Sequence, residues 1–146
     1  MKEEDKVLLL KDLSARLPYG VIIHLVEPNE DEELYCLNIP QEGLYTRSLE
    51  HNNVTTLCPI EDIKPYLRPM SSMTEEERKE FPFPYYFEWI NSDFNLLCSN
   101  DKVCASIGFD EMYKIMDWLN AHHFDYRGLI EKGLALEAPE GIYNIK

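Results

Sequence analysis

The stretch Ile60–Glu80 constrains the fold more than any other, because two prolines and a helix start lie within it. Pro65 and Pro69 lack a backbone donor and disfavour helical geometry in the residue before them, so the chain between them is expected to be extended or turned. Thr74 followed by Glu77 has the spacing of a capping box, in which each side chain bonds to the other residue's amide. The sequence therefore predicts a hinge without regular structure, and then a helix that begins at Thr74.

Before this hinge the pattern is that of one helix followed by short strands. Apolar residues recur at spacings of three and four from Glu3 to Leu17, which indicates an amphipathic helix. The acidic segment Glu27–Glu33 is interpreted as a solvated hairpin tip, because it lacks the ligand spacing of a calcium loop. His24 is interpreted as a core or edge residue rather than as a ligand. Runs of β-branched and aliphatic residues predict strands at Val21–Val26, Leu34–Ile39, Gly43–Leu49 and Val54–Cys58.

After the hinge the pattern becomes mostly helical. Prolines at 82 and 84 should end the helix that begins at Thr74. Two apolar runs between Phe94 and Ile107 are consistent with a second hairpin, and an apolar stripe from Asp110 to His122 predicts a further helix. The segment Leu129–Lys132 is interpreted as one helical turn, and the remainder as a docked tail.

Together these patterns predict an α+β fold in a single domain. Four closely spaced strands after one helix suggest a small antiparallel sheet, curled or barrel-like, with the N-terminal helix covering one face or end. The domain divides into a strand-rich part at about residues 1–59, the hinge at 60–73 and a helix-rich part at 74–146. A length of 146 residues is consistent with one core.

The charge balance excludes some function classes. There are 14 basic and 27 acidic residues, a net charge of −13, so direct nucleic-acid binding is disfavoured because it needs Lys and Arg. The same charge favours solubility and a basic protein partner. We expect no membrane segment and no secretory signal, and therefore a cytoplasmic protein with reduced cysteines.

Two segments are candidate partner-binding surfaces. In the hinge, Tyr66, Arg68 and Met70 could form an exposed recognition strip, although the same stretch is explained by a loop and a helix start. In the following segment, alternation places aromatic rings on one face if the chain is extended. Such rings pack in a core or a lid more often than they form a binding surface. The residues of this second segment, the aromatic strip, are Phe83, Tyr85, Phe87 and Trp89.

A weaker alternative site lies near the end of the last predicted helix. His122, His123 and Asp125 are of the residue types that metal and catalytic sites use, but adjacent histidines on a helix diverge by about 100°. Histidines are also favoured at a helix C-terminus by the helix dipole. Arg127 could bind an anion or simply pair with Asp125. No nucleotide, metal or nucleophile motif is present in the sequence, so we predict no cofactor.

Three blocks of sequence resemble a family of short bacterial proteins associated with prophages and similar mobile elements. The blocks are LLLKDLSARLPYGV, IEDIKPYLRPMSSMTEEE and DWLNAHHFDYRGLIEKGLALEAPEGIY, and they cover roughly half of the chain. The family has no assigned activity, so the resemblance supplies no catalytic residues. It implies an accessory protein of a mobile element, and the aromatic strip lies outside the blocks that carry it.

The sequence leaves three functional hypotheses open. The leading one is a non-enzymatic, acidic, cytoplasmic interaction protein with a protein partner. A second is a DNA mimic that occupies the basic site of a nucleic-acid-binding protein with its carboxylates. The third is a small hydrolase or metal enzyme that uses His122, His123 and Asp125.

Overall fold

The computed structural model describes residues 1–51, 53–54, 57–82 and 109–143. The described chain forms two compact units. The first comprises Met1–Leu67 together with the stretch from Leu129 onward, and the second lies between Arg68 and Gly128. The aromatic strip and the second predicted hairpin lie outside the described residues. The single-domain organisation stays a prediction.

The N-terminal helix is confirmed as α1, Glu3–Arg16. Three acidic residues in its first turn favour the positive end of the helix dipole. A short 3₁₀ turn at Leu17–Tyr19 follows, and Gly20 then adopts a φ of 69°, a conformation that a side chain would strain. The predicted helix and its stop signals are therefore correct to within one residue.

The described strands form one six-stranded sheet in the first unit. Its order is β4-β3-β2-β1-β5-β6, and every pairing is antiparallel except that of β5 with β6. The strands are β1 Ile22–Leu25, β2 Glu30–Asn38, β3 Gly43–Ser48, β4 Cys58–Pro59, β5 Ile63–Leu67 and β6 Leu136–Glu137.

The prediction of a small antiparallel, possibly barrel-like sheet is confirmed for four of the five pairings between the described strands, but the sheet is mixed and is not closed. The sheet is mixed because β6 follows β5 only after a long excursion of the chain, and a long connection permits parallel pairing. It is not closed, because its outermost described strands, β4 and β6, have two residues each and do not pair with one another.

Three strand boundaries also differ from the prediction. β2 begins at Glu30 and extends the hairpin with β1 into the acidic segment, so the solvated tip is shorter than predicted. Of the predicted strand Val54–Cys58, the described residues place Val54 in an isolated bridge with Arg47 and Cys58 in β4. The hinge itself contains β5, whose residues are alternately buried and partly exposed. The chain therefore forms a strand in the hinge, with one face buried, although the prolines there predicted a break in regular structure.

Pro65 is accommodated in β5 by the register of the sheet. It lies opposite Ile23 on β1. In antiparallel strands, hydrogen-bonded and non-hydrogen-bonded pairs alternate, and a residue without a backbone donor fits the second kind. The next position in this register would pair Ile22 with Tyr66 by hydrogen bonds.

The hydroxyl of Tyr143 takes the place of that next pair. It accepts a hydrogen bond from the backbone N–H of Ile22 at 3.0 Å and donates to the carbonyl of Tyr66 at 2.8 Å. These are the groups that a continued ladder would join. Burial raises the pKa of the Tyr143 hydroxyl well above its ordinary value, so the group stays protonated and able to donate.

The core of the first unit contains an ion pair among apolar side chains. Asp12 and Arg16, one turn apart on α1, are fully buried, and Nε of Arg16 lies 2.8 Å from Oδ2 of Asp12. Nη2 of the same guanidinium donates to Oδ1 at 3.1 Å. The surrounding core includes Leu9, Leu13, Val21, Ile23, Leu25, Leu34, Leu44, Ile60, Ile63 and Leu67.

The second unit contains the two remaining described α-helices, α2 at Glu75–Glu80 and α3 at Phe109–Ala121. The capping box of Thr74 and Glu77 is present at the start of α2, as predicted. After α3 the described chain forms turns and the short β6 rather than further helix, so the prediction of a helical C-terminal half is confirmed only for α2 and α3. A separate apolar cluster unites Met73, Phe81, Ile115, Leu119 and Phe124.

Candidate functional site

The first group of polar side chains lies on β1, β2 and β5. The hydroxyl of Tyr66 donates to Oδ1 of Asp31 at 3.1 Å, and Nδ1 of His24 lies 2.8 Å from the same oxygen. A carboxylate only accepts, so Nδ1 of His24 carries the proton in this contact. The rings of His24 and Tyr66 meet edge to face, with centroids 6.1 Å apart. Burial, followed by the bond to Asp31, raises the pKa of Tyr66.

A second polar group lies beside the first, on β2 and β3. Nη2 of Arg47 donates to Oε2 of Glu33 at 2.6 Å, and the guanidinium lies 5.8 Å from the centroid of the Tyr35 ring. The hydrogen bond from Arg47 to Glu33 raises the pKa of the guanidinium. Tyr35 lies where the register of β2 and β3 shifts, between Leu34 and Cys36, and its side chain is half exposed.

In the second unit, Arg68 is held by a bidentate ion pair. Its Nη1 and Nη2 donate to the two carboxylate oxygens of Glu77 at 2.7 Å and 2.8 Å. The guanidinium also lies 4.2 Å from the centroid of the Phe124 ring. Glu77 in turn accepts from the backbone N–H of Thr74 at 2.9 Å. The predicted recognition residue Arg68 therefore links the start of α2 to the chain after α3.

The backbone brings Arg68 together with the predicted histidine site. The N–H of Arg68 donates to the carbonyl of His123 at 2.8 Å, and the N–H of Asp125 donates to the carbonyl of Arg68 at 2.8 Å. This pair of bonds is a parallel bridge between Arg68 and Phe124. Two segments that the sequence offered as separate candidates are thus adjacent, joined by these main-chain bonds and by the contact of the Arg68 guanidinium with the Phe124 ring.

The two adjacent histidines have different environments. The Nδ1 of His122 donates to the carbonyl of Trp118 at 2.8 Å, and its ring stacks on the Trp118 ring with centroids 3.9 Å apart. His123 is buried and has a positive φ of 60°. The helix ends at Ala121, as a shared site would require. Among the residues that the structure describes, however, no three His, Cys, Asp or Glu side chains are grouped so that they could hold a metal ion.

The remaining predicted site residues are distributed as follows. Met70 is partly buried and packs against the apolar cluster of the second unit. The guanidinium of Arg127 lies 5.0 Å from the centroid of the Tyr126 ring. Tyr66 is partly buried in β5, and none of these side chains is fully exposed. The rings at Phe83, Tyr85, Phe87 and Trp89 lie outside the described residues, so their role as a binding surface stays a prediction.

Sequence reasoning missed the contact between His24 and Asp31. It assigned His24 to a strand but placed Asp31 in a solvated turn. The two residues are in fact directly opposite each other in the hairpin of β1 and β2. No alternation of apolar and polar residues marks this part of β2 in the sequence, because Glu30–Glu33 are all acidic, although Glu32 and Leu34 are both buried in the sheet.

Comparisons with protein-family models, with curated proteins and with solved structures return no match. The resemblance to prophage-associated proteins therefore stays a prediction. No helix in the described ranges has both the length and the apolar character needed to cross a membrane.

The ion pair of Arg68 and Glu77 predicts a dependence of stability on pH. Partial burial of Glu77 opposes its ionisation, but the bonds from Arg68 and from the Thr74 amide outweigh this, and the pKa falls below its ordinary 4.5. A lowered carboxyl pKa gives stability that is present above the unfolded pKa and is lost as pH falls through the folded pKa. We expect Glu77→Gln, which keeps an acceptor for the cap, to reduce the free energy of unfolding at pH 7 by roughly 1–2 kcal/mol.

The measurement is urea unfolding of both proteins at pH 7 and again well below pH 4.5. The difference between them should shrink at acid pH, because the wild-type carboxyl is then protonated too. Glu76→Gln, an exposed change on the same helix, is the control and should alter stability by less than about 0.5 kcal/mol at either pH. A difference for Glu77→Gln that is equal at both pH values would contradict the assignment.

Proposed function

We propose that this chain is a non-enzymatic interaction protein that binds a basic segment of a protein partner. The observation that carries the proposal is the polar surface of β1, β2, β3 and β5. There Asp31 is bonded to His24 and Tyr66, and Glu33 to Arg47, all from other strands of the sheet. Such cross-strand bonds fix the direction of each carboxylate before a partner arrives, which reduces the ordering cost of binding. The net charge of −13 would speed association with a basic partner.

The second unit supports the same proposal, because the residues of its candidate enzyme site make structural contacts. Arg68 bonds to Glu77, and His122 bonds to a carbonyl and stacks on Trp118. These contacts give both side chains a role in holding the unit together, so a reaction is not needed to account for them. The hydrolase or metal enzyme with His122, His123 and Asp125 stays an alternative proposal. Metal analysis of the purified protein tests it.

A DNA mimic is the other alternative, and it requires a broad surface of one sign. On the polar surface of the sheet, Arg47 and Lys64 are interspersed with Asp31 and Glu33 along neighbouring strands. Mixed charges at this spacing suit a short segment with separate basic side chains better than the regular phosphate repeat of a duplex. We therefore favour a protein partner, and we further propose that the protein acts in the cytoplasm as an accessory factor of a mobile element.

The test is affinity capture from a bacterial lysate, repeated with the wild-type protein and with a charge-reversed variant, Asp31→Lys with Glu33→Lys. The control is Glu3→Lys with Glu4→Lys, which makes the same charge change at exposed positions of α1. We expect a basic protein that is retained by the wild type and the control, lost by the variant, and able to bind the purified wild type directly. Repeated capture that returns no such protein would contradict the proposal.

A further inference from the structure

Two carboxylates on β2, Asp31 and Glu33, face the same side of the sheet, because residues two apart in a strand share a face. Each lies near a tyrosine. Arg47 donates a hydrogen bond to Glu33 and also lies near the Tyr35 ring. Asp31 accepts a hydrogen bond from Tyr66. The surface therefore has two places where a carboxylate lies near a tyrosine ring. The one at Glu33 and Tyr35 already contains the guanidinium of Arg47.

The setting at Asp31 has an acceptor that the described part of the chain does not use. Both of its hydrogen-bond donors, His24 and Tyr66, bond to Oδ1. Within the described part of the chain, Oδ2 receives no hydrogen bond, and the side chain is 42% exposed. Donors from strands on one side of β2 thus hold the carboxylate in place, while the side chain as a whole stays partly exposed.

We propose that Asp31, with the Tyr66 ring beside it, binds an arginine side chain of the protein partner. A guanidinium donates charge-assisted hydrogen bonds to a carboxylate and is attracted to an aromatic ring. Arg47, bonded to Glu33 and lying near Tyr35, makes both kinds of contact within this chain. The inference rests on the proposed function, since it names the chemistry that the partner must present.

Neighbouring charges should modulate this site. Lys64 lies opposite His24 in the register of β1 and β5, on the other side of His24 from Asp31. Its positive charge should weaken the binding of a guanidinium. The charge of Arg47 is already paired with Glu33, so it opposes binding less. Removal of the Lys64 charge should therefore strengthen binding at Asp31.

The test is a titration of the ¹⁵N-labelled protein with an acetylated, amidated triarginine peptide, followed by amide chemical shifts. We expect shifts at His24, Asp31 and Tyr66. Asp31→Asn should weaken the apparent affinity about tenfold, since it removes the charge from a charge-assisted hydrogen bond. Glu4→Gln, which makes the same charge change at an exposed position of α1, is the matched control and should leave the affinity nearly unchanged.

Lys64→Gln provides a second variant that leaves the contacts of Asp31 in place, and it should tighten binding. Tricitrulline, which has the shape of triarginine without its charge, should bind detectably less. Equal weakening by Asp31→Asn and Glu4→Gln would overturn the proposal, because the peptide would then respond only to overall charge. So would unchanged affinity in Lys64→Gln. Such failures would leave the proposed function intact if affinity capture still returned a basic partner, so the two tests are distinguishable.

Discussion

Replacement of Arg16 by methionine is expected to lower the free energy of unfolding by about 3–5 kcal/mol, the cost of breaking a buried ion pair from one side. Methionine fills much of the same volume, but it leaves the carboxylate of Asp12 buried without the guanidinium that lies 2.8 Å away. Urea unfolding followed by circular dichroism measures the change. Lys11→Met, at an exposed position of the same helix, controls for the loss of a positive charge and should change stability by about 0.5 kcal/mol or less.

A double variant separates the value of the pair from the cost of breaking it. Asp12→Leu combined with Arg16→Met removes both charges, so no buried charge is left unpaired. We expect the double variant to recover most of the stability that Arg16→Met loses, because replacing a whole buried pair by apolar side chains is often neutral or stabilising. If the double variant were no more stable than the single one, the carboxylate of Asp12 would not be the source of the loss.

Replacement of Phe124 by alanine is expected to lower the free energy of unfolding by about 3–5 kcal/mol through the cavity it leaves. Phe124 is fully buried, stacks on Trp118 with ring centroids 5.8 Å apart, and lies beneath the guanidinium of Arg68. The change therefore removes an apolar contact and a cation–π contact together.

The matched control is Tyr113→Ala on α3, where the aromatic side chain is 71% exposed. It should cost less than about 1 kcal/mol, because an exposed ring gives up little buried area. Phe124→Leu keeps most of the apolar volume and should fall between the two. Equal effects of Phe124→Ala and Tyr113→Ala in urea unfolding would show that the Phe124 ring is not a core element of the second unit.

Local signals predicted α1 and the start of α2 well. The apolar spacing in α1, its stop at Gly20, and the capping box of Thr74 and Glu77 each depend on residues within one or two turns of each other. A short stretch of sequence therefore contains all the residues that determine such a helix boundary. The strands were predicted less well, because a strand is defined by its partners. β5 was missed because Pro65 and Pro69 suggested a break, whereas the fit of Pro65 depends on its register against Ile23.

The candidate site was the least predictable part of the structure. Asp31 and Tyr66 are 35 positions apart in sequence, and only the order of β2, β1 and β5 brings their side chains together. Arg68 was a candidate recognition residue of the hinge, with a structural role as the alternative, and its partner Glu77 was visible in the sequence only as part of a helix cap. The role of a polar side chain depends on what faces it, and local patterns do not record that.

The Tyr143 hydroxyl has a consequence for the order in which the first unit folds. Tyr143 lies 121 positions after Ile22 and 77 positions after Tyr66, and its hydroxyl bonds to the backbone of both residues. Contacts across such separations must offset the entropy of closing a long loop, whereas the hairpin of β1 and β2 closes over a few residues. The hairpin can thus form early and the Tyr143 bridge late, so the bridge should slow the unfolding of the sheet without accelerating its assembly.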